Sequence, residues 1–233
     1  MMRKEENIIY LDRNENQYGP APACFKVLAA DNFKNLSEYS RDFSTGVKSV
    51  LSERLANDFG VPEKNVMLGY GGEDILKQAV HCYIGKGDKI MIPSYSWWYY
   101  KKIADEKEGI KIEYPIVEGD HSFYYDIEGM LAIYEEQKPK LVLISSPNNP
   151  TGNRLEIDQL KMILRKMKDA VVVVDEAYAL FYNNDHSHLK DIIDEFPNVL
   201  IIRTFSKYYG LAGIRIGFVL MGDNHTEFSM FSA

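Results

Sequence analysis

No stretch of this sequence stays apolar for the roughly 20 residues that a bilayer-spanning helix needs. The opening Met1-Met2-Arg3-Lys4-Glu5-Glu6 leads into no apolar segment of the kind a secretory signal uses. Basic charge is scarce too: 27 Lys and Arg stand against 34 Asp and Glu, a net charge of −7, with no long charge run. A nucleic-acid backbone calls for a basic surface, so nucleic acid is not an expected partner. Only Cys24 and Cys82 carry thiols, far apart and without metal-ligand spacing, which suits reduced cysteines. Repeats and low-complexity segments are also missing. These absences predict a soluble, cytoplasmic protein with no membrane and no nucleic acid among its partners. The 233 residues, 45% hydrophobic and 12% aromatic, suffice for one large domain, or one domain with an appendage.

Strand and helix signals alternate along most of the chain. Residues 1–34 carry turn formers and little periodicity, and read as an irregular arm. Ser44 to Gly60 has helical spacing, ended by Gly60 and Pro62. Short apolar runs at 65–68, 89–92, 110–116, 140–144, 171–174 and 198–203 read as strands, with 215–220 as one more. Helical patterns at 73–83, 98–107, 126–137 and 156–168, and a short one near Asp191, separate them. Strands apolar on both faces and alternating with helices predict an α/β fold: three layers, a mainly parallel sheet with helices on both faces. Ligands of such sheets bind beyond the carboxyl ends of the strands.

That rule selects the residues that matter. The last apolar run delivers Thr204-Phe205-Ser206-Lys207 onto a loop followed by Gly210, Gly213, Arg215 and Gly217. A lysine amine becomes nucleophilic once neutral, and burial or a neighbouring cation such as Arg215 favours that form. Hydroxyls on Thr204 and Ser206 with the Arg215 guanidinium suit a phosphate, so the stretch reads as a pocket for a phosphorylated aldehyde. Asp175 ends the most apolar strand, where a carboxylate needs a partner; a protonated ring nitrogen would serve, and Tyr178 follows it. Ser145-Ser146-Pro147-Asn148-Asn149-Pro150-Thr151-Gly152 fixes a loop able to aim the Asn149 amide inward. Gly72 and Glu73 open a helix whose free N–H groups attract phosphate. Tyr95 offers a stacking face, with Trp97 and Trp98 beside it. Each has a plainer reading when taken singly: a cap for Asp175, an ordinary turn for the Asn149 loop, core packing for the aromatics. Together they supply the set that pyridoxal 5′-phosphate requires.

In order and spacing these segments resemble the fold-type I pyridoxal-phosphate enzymes of the class I/II aminotransferases, and among them the histidinol-phosphate aminotransferase branch. The likeness is carried by 146–152, Asp175-Glu176-Ala177-Tyr178, Thr204-x-Ser206-Lys207 and the glycines around Arg215; Asn14-Glu15-Asn16 and Pro93-Ser94-Tyr95 agree with it. The resemblance implies that Lys207 holds the cofactor as a Schiff base and shuttles the substrate proton. It implies that Asp175 pairs with the ring nitrogen, that Asn149 and Tyr178 bond the ring oxygen, and that Tyr95 stacks. Gly72, Glu73, Thr204, Ser206 and Arg215 then hold the phosphate, with Tyr39 reaching it from a second subunit of a homodimer. The implied activity is amino transfer from histidinol phosphate or an amino acid to a 2-oxo acid. Decarboxylation of an amino-acid phosphate, or a cofactor-binding fragment without turnover, are the alternatives. Gln17 replaces a proline usual in the arm, and Gly72-Glu73-Asp74 a more typical Ala-Asp-Glu. The expected organisation is an arm and small-domain segment at 1–40, a cofactor-binding domain at 41–223, and the start of a truncated region at 224–233. Family members continue into a C-terminal domain whose arginine holds the substrate anion, and Arg215, matched to the cofactor phosphate, does not replace it.

Overall fold

The computed structural model describes residues 10–30, 39 and 42–231. The expectations placed on 1–9, 31–38, 40, 41, 232 and 233, including Ser37 and Glu38, lie outside the described residues. Strands β1 (Val66–Gly69), β2 (Lys89–Pro93), β3 (Ile110–Tyr114), β4 (Ile116–Glu118), β5 (Phe123–Tyr125), β6 (Leu141–Ser145), β7 (Val171–Asp175), β8 (Val199–Thr204) and β9 (Gly217–Met221) alternate with eight helices among the described residues. These are α1 (Pro22–Ala30), α2 (Val50–Phe59), α3 (Gly71–Tyr83), α4 (Trp98–Glu106), α5 (Ile127–Gln137), α6 (Ile157–Lys166), α7 (Ser187–Glu195) and α8 (Thr226–Phe231).

Seven strands form one sheet in the order β1-β9-β8-β7-β6-β2-β3. All run parallel except β9, which is antiparallel to both its neighbours. Alternation along the strands divides the core. Val172, Val174, Val199 and Ile201 face α2, α5, α6 and α7, while Val173, Leu200 and Ile202 face α3, α4 and α8. Helices therefore cover both faces, as the two-sided apolarity of the strands requires. Phe228 of α8 is fully buried in the second cluster, so this segment packs against the main body.

Three local readings change. The region read as irregular contains α1, because proline is tolerated as the first residue of a helix, and Pro22 starts it rather than stopping it. The run 110–116 is divided at Pro115, which has no N–H for the ladder; β3 stays in the main sheet and β4 pairs with β5 in a separate hairpin. The last strand begins at Gly217, since Arg215 adopts a left-handed φ of 59° after a 3-10 turn at Ala212–Ile214.

Candidate active site

The carboxyl ends of β1, β6, β7 and β8, with the segment after β2, surround a cavity of about 1100 Å³. Its wall contains Gly72, Glu73, Asn149, Asp175, Tyr178, Thr204, Ser206, Lys207 and Arg215, residues far apart in sequence. The arm closes it from outside through Asp12, Arg13, Asn14 and Glu15.

Lys207 is half-buried, and its Nζ donates to the carbonyl oxygens of Arg13 at 2.7 Å and Asn14 at 3.4 Å. Burial holds the amine below the ordinary lysine range; Arg215 adds to this, and Glu15, Asp175 and Glu73 oppose it. The neutral, nucleophilic form is thus more accessible than for a surface lysine.

Asp175 lies opposite. Its Oδ2 accepts from the Tyr100 phenol at 2.7 Å and its Oδ1 from the Ala177 N–H at 3.0 Å. Burial pushes this carboxyl up, against the pull of those two hydrogen bonds and of Lys207. It is a carboxylate in want of a cation, which a protonated ring nitrogen would supply. Tyr178 receives a hydrogen bond from Asn14 Nδ2 at 2.9 Å, and Lys207 Nζ stands 5.8 Å from the centroid of its ring. Asn149 lines the same wall, and its side-chain amide has no hydrogen-bond partner among the described residues.

The end of the cavity at the start of α3 is assembled by close backbone approach. Helix α3 starts at Gly71 with no side-chain cap, leaving its first N–H groups free for an anion. A Cβ on Gly217 would lie 2.5 Å from Gly71 C and 2.6 Å from Gly72 N, so only glycine lets β9 sit against the helix start. Thr204 Oγ1 donates to Ser206 Oγ at 2.9 Å and accepts from the Ser206 N–H at 3.1 Å, which turns the chain after β8. Arg215 is exposed at the rim and donates to Tyr70 O at 3.3 Å. An uncapped helix start, two hydroxyls and a guanidinium fit a phosphate monoester, and the lysine and carboxylate fit the aldehyde and ring of its aromatic body.

Tyr95 does not line the cavity. Tyr95 is 50% exposed, with its ring edge-on to Phe123 at 5.7 Å. Its carbonyl is held by Asn148 Nδ2 at 2.8 Å, while Trp97 and Trp98 stand on the cavity wall. Tyr39, expected to reach the cavity of a second subunit, is 96% exposed in this one. The sequence reading also missed Tyr100, which lies within the helix expected at 98–107, and the arm carbonyls on Lys207, which no side-chain pattern announces. Among the described residues no cluster of three or more His, Cys, Asp or Glu is placed to hold a metal.

Fold and site together define a three-layer α/β protein with a half-buried lysine amine in a cavity at its strand ends. Residues 6–228 match the family model described as aminotransferase class I and II, and the chain belongs to that family. It is 33% identical over 221 residues to a histidinol-phosphate aminotransferase of Ruminiclostridium cellulolyticum, a match covering 94% of this chain and 60% of that protein. A Methanocaldococcus jannaschii protein of the same name is 29% identical, with 97% and 59% covered. The crystal structure of histidinol-phosphate aminotransferase from Sinorhizobium meliloti in complex with pyridoxal-5′-phosphate superposes with a TM-score of 0.80 at 25% identity, covering 94% of this chain and 57% of that one. The chain thus spans about 60% of the length of the curated relatives it matches.

Proposed function

We propose that the chain binds pyridoxal 5′-phosphate through Lys207 and forms the cofactor-binding part of an aminotransferase. The reaction moves an amino group from histidinol phosphate or an amino acid to a 2-oxo acid. The reading is carried by one observation: Lys207 and Asp175 face one cavity whose far end is the uncapped start of α3. Family membership and the named relatives support it.

When bound, the cofactor supplies an aldehyde for covalent capture and a ring that withdraws electrons from the substrate carbon. The α3 start, Thr204, Ser206 and Arg215 anchor its phosphate. Asp175, fixed by Tyr100 and Ala177, keeps the ring nitrogen protonated. Asn149 and Tyr178 bond the ring oxygen, and the segment from Tyr95 to Trp97 supplies the planar face. Lys207 Nζ would hold the cofactor aldehyde and would take the proton from the substrate α-carbon. The arm excludes water. By family position residues 41–223 serve as the large domain, with 1–40 and 224–233 leading to a smaller one; the working form is a cytoplasmic homodimer in which Tyr39 reaches the partner's phosphate end.

Reconstitution tests this. Protein mixed with pyridoxal phosphate turns yellow, and borohydride fixes the label on the peptide containing Lys207. Protein that takes up no cofactor overturns the proposal. Amino transfer dependent on a keto acid, without release of carbon dioxide, separates it from decarboxylation.

A further inference from the structure

Two groups hold the Asp175 carboxyl, and they differ in kind. Its Oδ1 accepts from the Ala177 N–H at 3.0 Å, a bond within its own turn. Its Oδ2 accepts at 2.7 Å from the Tyr100 phenol, which reaches it from α4 across 75 residues of sequence. The Tyr100 ring is 1% exposed in the apolar layer over that face of the sheet, with its centroid 6.0 Å from that of Trp97. A phenylalanine would fill the same space, so packing accounts for the ring and not for the hydroxyl. A buried hydroxyl needs a partner, and the acceptor this one meets is the carboxylate at the end of β7.

The phenol keeps its proton. Burial and then the charge of Asp175 push it well above its ordinary range, against a pull from the Ser145 hydroxyl. The carboxyl is the group that gives way. Burial pushes it up and Glu176 adds to this; Tyr100 opposes the rise first, then the Ala177 N–H and Lys207. Two more phenols feel the charge of Asp175, and burial pushes both up, so they stay neutral. Tyr125 donates to the Ser145 carbonyl, and Tyr178 accepts from Asn14. Tyr100 is therefore the side chain whose O–H is spent on Asp175.

We propose that Tyr100 is a positioning residue that decides where one proton sits. By donating to Oδ2 it weakens the carboxyl's own hold on a proton, so a proton shared between Asp175 and the cofactor's ring nitrogen stays on the ring. Without that O–H the carboxyl takes the proton, and the ring loses its charge and much of its pull on electrons. The inference rests on the cofactor reading above and adds to it the group that sets the charge of the ring.

Tyr100→Phe keeps the ring and removes the hydroxyl. In protein without cofactor, with aspartate carboxyls labelled with carbon-13, the Asp175 signal is assigned by its loss in Asp175→Asn. Its titration midpoint is expected to rise by about one pH unit in Tyr100→Phe, a tenfold gain in proton affinity. A ring-fluorinated tyrosine at position 100, a stronger donor of nearly the same shape, is expected to lower it. A midpoint unmoved in both proteins overturns the proposal. A rise in both does so too, since it would mean that the site had merely loosened. On protein loaded with pyridoxal phosphate carrying nitrogen-15 in the ring, the nitrogen signal is expected where a protonated ring resonates, and Tyr100→Phe moves it toward a neutral one. A nitrogen signal that stays put overturns the assignment to the ring proton even if the carboxyl midpoint rises. Equal losses of cofactor affinity on Tyr100→Phe with and without Asp175→Asn also overturn it, because the proposed effect needs the carboxylate. Wild-type protein that takes up no cofactor, with the Asp175 midpoint still shifted by Tyr100→Phe, overturns the cofactor reading and upholds the phenol's hold on the carboxyl.

Discussion

Asp175 and Asn14 occupy opposite walls of one cavity. The first ends a strand whose Val172, Val173 and Val174 are fully buried; the second sits on an arm whose Leu11 and Tyr18 are 77% and 98% exposed. The floor draws its geometry from the sheet ladder and two apolar layers, so its functional groups are fixed whether or not a ligand is present. The arm is attached by a few hydrogen bonds, two of them from Lys207 to carbonyl oxygens and one from Asn14 to Tyr178. Lys207 is where the two meet. Its amine is occupied by arm carbonyls that can detach without disturbing the core, which suits the nucleophilic role proposed for it.

The sharpest test of that meeting point is Lys207→Ala. Colour fixed by borohydride is expected to vanish entirely, while the melting temperature moves little; a retained covalent label would place the nucleophile elsewhere. Next is the floor. Gly217→Ala puts a methyl group into the backbone of Gly71 and Gly72, and a loss of about 3 kcal/mol or more is expected in urea denaturation. A mild effect would mean that the floor yields as easily as the arm.

Acid tests the floor more gently. His225 is 2% exposed, with Nδ1 at 2.8 Å from the Tyr83 phenol, and burial pushes it down from 6.5 to about 4 against the pull of backbone groups at Val199 and Asn198. The unfolded chain therefore takes up this proton first. Its contribution to stability is whole above pH 6.5 and is lost as pH falls toward 4, amounting to about 2 kcal/mol between pH 7 and pH 5. His225→Gln should flatten that part of the profile.

Smaller still is the stacking face. Trp97→Ala is expected to weaken cofactor binding about three- to tenfold and Tyr95→Ala less, as measured by titration, because Trp97 stands on the wall and Tyr95 does not. The reverse order would show that Tyr95 swings inward on binding. Last, Asn14→Ala should cost about 1 kcal/mol or less in denaturation while speeding loss of cofactor. A cost above about 2 kcal/mol would make the arm part of the core.

The same contrast explains what the sequence revealed. β6, β7 and β8 are unbroken apolar runs, so the strands and the residues delivered at their ends were readable. The direction of β9 was not, because an apolar strand reads alike in either sense and its pairing depends on partners at 66–69 and 199–204. Helix α1 was lost behind the turn formers that precede Pro22. Asp175 was recognised from its costly position, whereas its partner Tyr100 sits on a helix whose pattern announces packing alone. Bonds to main-chain oxygen, such as those from Lys207 to the arm, leave no trace in residue identity.

β1 has a single neighbour in the sheet, and that neighbour is the last strand, β9. During synthesis the residues from Val66 to Gly69 emerge early and wait for those from Gly217 to Met221 before any strand can flank them. The uncapped start of the following helix is completed at the same moment, since Gly217 is the backbone it rests on. A nascent polypeptide halted before that glycine would carry the lysine and the aspartate with a helix start that β9 does not yet support.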